Sequence, residues 1–191
     1  INQIHLKDEI SPHAISCAID RNITKNIKDI DSFLIESNDH LKFSALVVMI
    51  NDPDRSKKAI EIINQTLIDG DEKEITKLLH FLKHSDYDIS EHLILKYLKS
   101  KNSELITQTL GMISQKPREE YLLQIIQLLE NKNVSKSAEK ALLGYDKKIV
   151  CEKLLKYFSS SKSTYETKIS ILGLIHQFEN REIAKTIISS M

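Results

Sequence analysis

Two series of apolar residues run through this chain with nearly the same step. The first is Ile35, Leu67, Leu98, Leu129, Phe158 and Ile188, at intervals of 32, 31, 31, 29 and 30. The second is Leu46, Leu79, Leu110, Leu143 and Leu172, at intervals of 33, 31, 33 and 29. Each series falls in the gaps of the other. A step of about 31 residues carrying two apolar marks is the signature of a repeated supersecondary unit. The residues directly after the second set of marks are Val47, His80, Gly111, Gly144 and Gly173, which puts three glycines at corresponding places.

Inside each repeat the local period is that of a helix. Leu122, Ile125, Ile126 and Leu129 follow the spacing i, i+3, i+4, i+7, as do Ile75, Leu78, Leu79 and Leu82. Helices are therefore expected near 11–20, 23–36, 39–50, 54–68, 72–83, 89–99, 102–114, 118–130, 135–145, 147–159, 163–178 and 181–190, about twelve in all. The breaks between them carry start and stop signals. Pro12 follows Ser11, Pro53 follows Asp52, and Pro117 precedes Glu119 and Glu120. Proline suits the start of a helix, where its missing N–H is no loss. Gly70 lies in a turn before an acidic run, and Asn38, Asn102 and Asn131 stand at other breaks. Links this short force antiparallel packing of consecutive helices.

Composition agrees with an all-α fold. The 191 residues include only four glycines and three prolines, too few for a turn-rich sandwich or barrel. Hydrophobic residues make up 41% and charged residues 28%, as in a globular chain. Isoleucine outnumbers valine 28 to four and lysine outnumbers arginine 23 to four, which reads as the bias of an AT-rich genome. The net charge is zero and the pI about 7.2, so the basic footprint of a nucleic-acid binder is missing. Charge is nevertheless uneven. Residues 1–95 hold 11 Lys/Arg against 17 Asp/Glu, a net of −6, and residues 96–191 hold 16 against 10, a net of +6. Cys17 and Cys151 are far apart in apolar surroundings and read as reduced, buried thiols. No run approaches the roughly 18 apolar residues of a membrane helix, and no signal-peptide pattern is present. The first residue is Ile1, so the chain reads as a piece of a longer multidomain protein, with 1–10 as a linker or partial helix and 1–191 as a single repeat domain.

The residues of the second helices resemble HEAT-like repeats of the short kind. Asp39, Leu41, Lys42 and Ala45 in one repeat, and Val134, Ala138, Ala141 and Leu142 in another, match the Asp, Val-Arg, Ala and Ala-Leu positions of that pattern. The family's arginine is lysine once and otherwise lost. The chain has no tryptophan, which sets it apart from tetratricopeptide repeats, and it lacks the Thr-Pro-Leu-His of ankyrin repeats. Near 134–146 the motif and the apolar series disagree in register. The resemblance implies an armadillo-like, right-handed α-solenoid in which each pair touches its neighbours, with first helices on the convex side and second helices on the concave side.

Candidate chemistry is sparse. His80 and His84 lie one helical turn apart near Asp86, Asp88 and His92, but without a His-Glu-x-x-His or a nearby cysteine they read as surface histidines. Tyr97, Tyr121, Tyr145 and Tyr157 sit among aliphatics and read as half-buried core. Neither a catalytic residue, a metal nor a cofactor is assigned. The expected function is a non-enzymatic scaffold or regulatory domain, cytoplasmic or the soluble part of a membrane protein. Its partner would be a protein or peptide segment or another domain of the same chain, not nucleic acid, and it would not insert in a membrane. The expected contact residues are Lys77, His80, Gln108, Lys140 and Ser170 on the non-core stripes of the second helices. Two other readings follow from the resemblance. One is a HEAT-like enzyme, such as a DNA glycosylase or bilin lyase. The other is the regulatory part of a bacterial transporter.

Overall fold

A computed structural model of the chain describes residues 27–35, 38–83, 85–161 and 163–177. Among these residues there are nine α-helices and no strand. They are α1 (Asp39–Ile50), α2 (Ser56–Asp69), α3 (Glu72–Leu82), α4 (Glu91–Leu98), α5 (Ser103–Gln115), α6 (Leu122–Gln127), α7 (Ser135–Leu142), α8 (Lys147–Phe158) and α9 (Tyr165–Gln177). Single 3₁₀ turns, Glu119–Tyr121 and Leu128–Glu130, extend α6 at both ends. The described residues fall into two compact units that divide after Ile89.

The helix starts are set by side-chain caps. Asn38 accepts from the His40 N–H, Asp71 from Glu74, Asn102 from Glu104 and Leu105, and Asp146 from Lys148 and Ile149. Each carboxylate or amide oxygen satisfies donors that the first turn leaves without a partner. Asn131 does the same for the Asn133 N–H in the turn before α7. Pro53 opens a turn, not a helix. Asp52 there accepts from the Asp54 N–H and from Arg55 Nη1, and α2 begins only at Ser56.

In the N-terminal unit, α1 packs on the 3₁₀ segment Ile27–Leu34, on α2 and on α3. Its core is made by Phe43, Leu46, Ile63, Leu67, Leu79 and Leu82, all fully buried. In the C-terminal unit, α4 packs on α5 and α6, α5 on α7, α6 on α7 and α8, and α8 on α9. In both units contacts join consecutive helices and helices two apart. Tyr97, Tyr121, Tyr145 and Tyr157 are more deeply buried than the half-buried placement expected of them. Tyr145 donates its hydroxyl to the Arg118 carbonyl at 2.9 Å, which ties the end of α7 to the segment before α6. Burial pushes the Tyr145 phenol well above its ordinary value, against that hydrogen bond.

Several expectations are corrected. The stretch 23–36 is not an α-helix where it is described: Ile27–Leu34 is 3₁₀. Asp29, Asp31 and Ser32 are poor interior helix formers, because short polar side chains compete for the backbone. Ile35 falls in the turn beyond it and is 88% exposed, while Ile30 is buried in its place. The expected helices 11–20 and 181–190, with Ile188, lie outside the described residues. In the second series Leu46, Leu79 and Leu110 are buried, but Leu143 is 46% exposed and Leu172 37%. Leu142 and Ile171 are the buried residues there, with Ala138 and Ala141 also buried in α7 and Val134 just before it. One residue is about 100° of helical turn, so the apolar pairs Leu142–Leu143 and Ile171–Leu172 each offer two registers, and packing selects the first. With that shift the glycines are no longer equivalent. Gly111 follows a buried residue directly, whereas Gly144 and Gly173 lie two positions past theirs.

Candidate functional site

Lys77 and His80 lie on α3, on the side that meets α1. Lys77 Nζ donates to Asp39 Oδ2 at 2.6 Å, and Lys42 Nζ donates to Glu74 Oε1 at 3.1 Å, so two ion pairs cross between these helices. The Lys77 hydrogen bond holds the Asp39 carboxyl below its ordinary value, against desolvation. His80 is exposed, its ring 5.9 Å edge-on from Phe81; His40 approaches the same ring at 5.5 Å and Phe43 at 6.0 Å. The cluster gives α3 an amphipathic edge of two imidazoles around one phenyl. Thr76, next to Lys77, is only 4% exposed, with its hydroxyl donated to the Glu72 carbonyl at 2.5 Å. A threonine can turn its hydroxyl back on its own helix and bury its methyl, which a polar reading of the residue overlooks.

Gln108, Lys140 and Ser170 belong to the C-terminal unit. Gln108 is part-exposed on α5, Lys140 exposed on α7 and Ser170 part-exposed on α9. The fold brings α5 and α7 together, whereas α9 packs on α8 and on the 3₁₀ turn Leu128–Glu130. Thr167 Oγ1 donates to Glu130 Oε1 at 2.7 Å there. A Cβ at Gly144 would lie 3.2 Å from the Ser114 carbonyl oxygen, so that glycine admits the end of α5. A Cβ at Gly173 would meet nothing within 4 Å. Gly144 and Gly173 thus answer different local needs.

A recess with a volume of about 360 Å³ opens between α6 and α8, in the C-terminal unit. Ile126 and Tyr157 form its buried floor; Leu123, 53% exposed, forms one wall, with Gln127 beside it. Lys153, Lys156 and Ser160 complete the rim. Ser160 Oγ is turned inward to the Tyr157 carbonyl at 2.7 Å. Burial pushes the Tyr157 phenol above its ordinary value, and the charge of Glu130 and a hydrogen bond to it add to the shift. The surface is apolar at the bottom and cationic at the edge, which suits binding. Sequence reasoning placed no site here. The available signal was Leu123 itself, an apolar residue off the core stripe Leu122, Ile125, Ile126 and Leu129.

Other candidate chemistry is limited. Among the described residues no group of three or more His, Cys, Asp or Glu side chains could hold a metal ion. His84 and Cys17 lie outside the described residues. Cys151 is a fully buried free thiol on α8, and desolvation raises its pKa against the opposing charge of Lys147. No described helix is long and apolar enough to cross a membrane. Comparison with models of protein families, with curated proteins and with solved structures finds no match to this chain.

Proposed function

We propose that this chain is a non-catalytic scaffold whose helix pairs stack in the HEAT-like manner and bind a protein or peptide segment. One observation carries the reading: within each unit, helices two apart in sequence pack on each other, as α1 does on α3, α4 on α6, α5 on α7 and α6 on α8. Stacking of that kind lays successive helices side by side and leaves long faces open, which suits recognition of an extended or helical segment without special chemistry. Exposed His80 and Lys140 and part-exposed Lys77, Gln108 and Ser170 supply polar contacts on such faces.

The test is a set of glutamate replacements at Lys77, Gln108, Lys140 and Ser170, made singly and together. Binding is measured against partners recovered by affinity capture, with thermal melting as the control for folding. The expected result is a loss of about tenfold or more in the quadruple variant, reduced further by salt. Unchanged affinity with intact folding would remove the partner from these faces. Turnover of any substrate by the purified chain would overturn the non-catalytic reading.

A further inference from the structure

We infer that the recess between α6 and α8 is an anchoring site for an acidic peptide segment, with one large apolar side chain seated on Ile126 and Tyr157 and carboxylates facing Lys153 and Lys156. The inference rests on the scaffold reading and specifies its site and its partner's chemistry. Shape comes first. The recess has room for a bulky side chain, its floor is buried, and its wall is a leucine that the fold leaves half in water. Burying such a leucine against a partner is favourable by the usual apolar transfer energy. An apolar centre bordered by charged groups is the usual anatomy of an anchored contact.

Charge selects the occupant. Two lysines line the recess and no carboxylate does. Glu130, whose charge reaches Tyr157, is outside the lining and accepts a hydrogen bond from Thr167. Glu120 and Glu152 lie outside the lining. From Ser90 onward the chain carries 16 Lys/Arg against 11 Asp/Glu, a net of +5, so the local cations are not offset by the unit as a whole. Lysine offers a mobile point charge in place of a planar fork, which fits loosely spaced carboxylates better than one bidentate phosphate. Hence an acidic peptide with an apolar anchor, in preference to a nucleic acid.

The experiment uses the full chain and a displayed library of random short peptides. Selected peptides are synthesised with a fluorescent label and titrated against the chain and its variants by anisotropy. The expected winners place a Leu, Ile, Phe or Met next to Asp or Glu. Their affinity should fall at least about tenfold with Leu123→Asp or with Lys153→Glu plus Lys156→Glu, and weaken steadily with salt. Both lysines are exposed and Leu123 is 53% exposed, so melting should be unchanged in the lysine variants and shift little in Leu123→Asp; Lys153→Arg plus Lys156→Arg should retain binding. Peptides that bind but respond only to Gln108→Glu or Lys140→Glu would overturn the recess while leaving the scaffold reading intact. Winners without acidic residues would overturn the charge assignment. A library that yields no binder would count against both readings.

Discussion

The two compact units share a packing scheme and differ in what links their helices at the surface. In the N-terminal unit charged pairs bridge elements: Lys77 to Asp39 and Lys42 to Glu74 across α1 and α3, and Lys58 and Arg55 to Asp31. In the C-terminal unit hydroxyls make cross-element links, Tyr145 to the Arg118 carbonyl and Thr167 to Glu130, a kind of link that Tyr87 to Asn64 adds to the ion pairs of the N-terminal unit. In both units buried leucines and isoleucines make up most of the core. The lesson is that core packing supplies the common stability, while the surface links set how each unit responds to salt and acid. Half-exposed ion pairs contribute little and are screened. Hydroxyl links on buried side chains respond weakly to salt.

The comparison makes its largest prediction where the units should not differ. Leu79→Ala in α3 and Leu110→Ala in α5 should each cost about 3 kcal/mol in urea unfolding, since both side chains are completely or almost completely buried. Leu142→Ala should cost as much, whereas its neighbour Leu143→Ala should cost less than about 0.5 kcal/mol. Reversed costs at 142 and 143 would restore the register that the apolar series alone suggests.

A smaller effect is expected for Thr167→Val, which keeps the shape and removes the donor to Glu130. It should cost about 1 kcal/mol, with the same value at low and high salt. The counterpart in the N-terminal unit is Asp39→Asn. It should cost at most a few tenths of a kcal/mol, because both partners are more than a third exposed, and the cost should vanish at high salt. A salt-dependent loss at Thr167, or a salt-independent one at Asp39, would break the contrast.

Acid should act on the same pairs. Asp31 and Asp39 have carboxyls held below the ordinary value by hydrogen bonds from Lys58 and Lys77. A lowered folded pKa means the contribution is complete above the unfolded value, about 4, and is lost as pH falls through the folded value. Amide exchange in α1 and α3 should therefore accelerate below about pH 4, and Asp39→Asn should reduce that acceleration. No change in the variant would show that the carboxylate lacks this linkage.

Much of the architecture was legible beforehand. The helix α1 was expected at its observed bounds, and Asn38 and Asn102 marked true caps. Periodicity and capping are local properties, so a linear reading reaches them. Register between helices is not local. Paired apolar residues at 142–143 and 171–172 gave no means of choosing a face until α5, α7 and α9 were seen against their neighbours. The pairing of Lys77 with Asp39 spans 38 residues, beyond the reach of any local pattern. The recess between α6 and α8 also arises only when two helices separated by a third in the chain are set side by side. Leu123 and Lys153 stand 30 residues apart, and the one sign of the recess in the sequence was Leu123, apolar but off the core stripe.

The proposal of stacked helix pairs is tested most directly by removing one pair. Deleting residues 103–134 excises α5 and α6 and joins Asn102 to Ser135, so the cap before α5 becomes the cap before α7. Circular dichroism of the shortened chain through a thermal melt is the measurement. If the pairs are interchangeable repeats, α4 takes the place of α6. The shortened chain then keeps its helicity per residue and still melts cooperatively, at a lower temperature. Loss of the cooperative transition, or collapse of the helical signal well beyond the residues removed, would contradict the repeat reading.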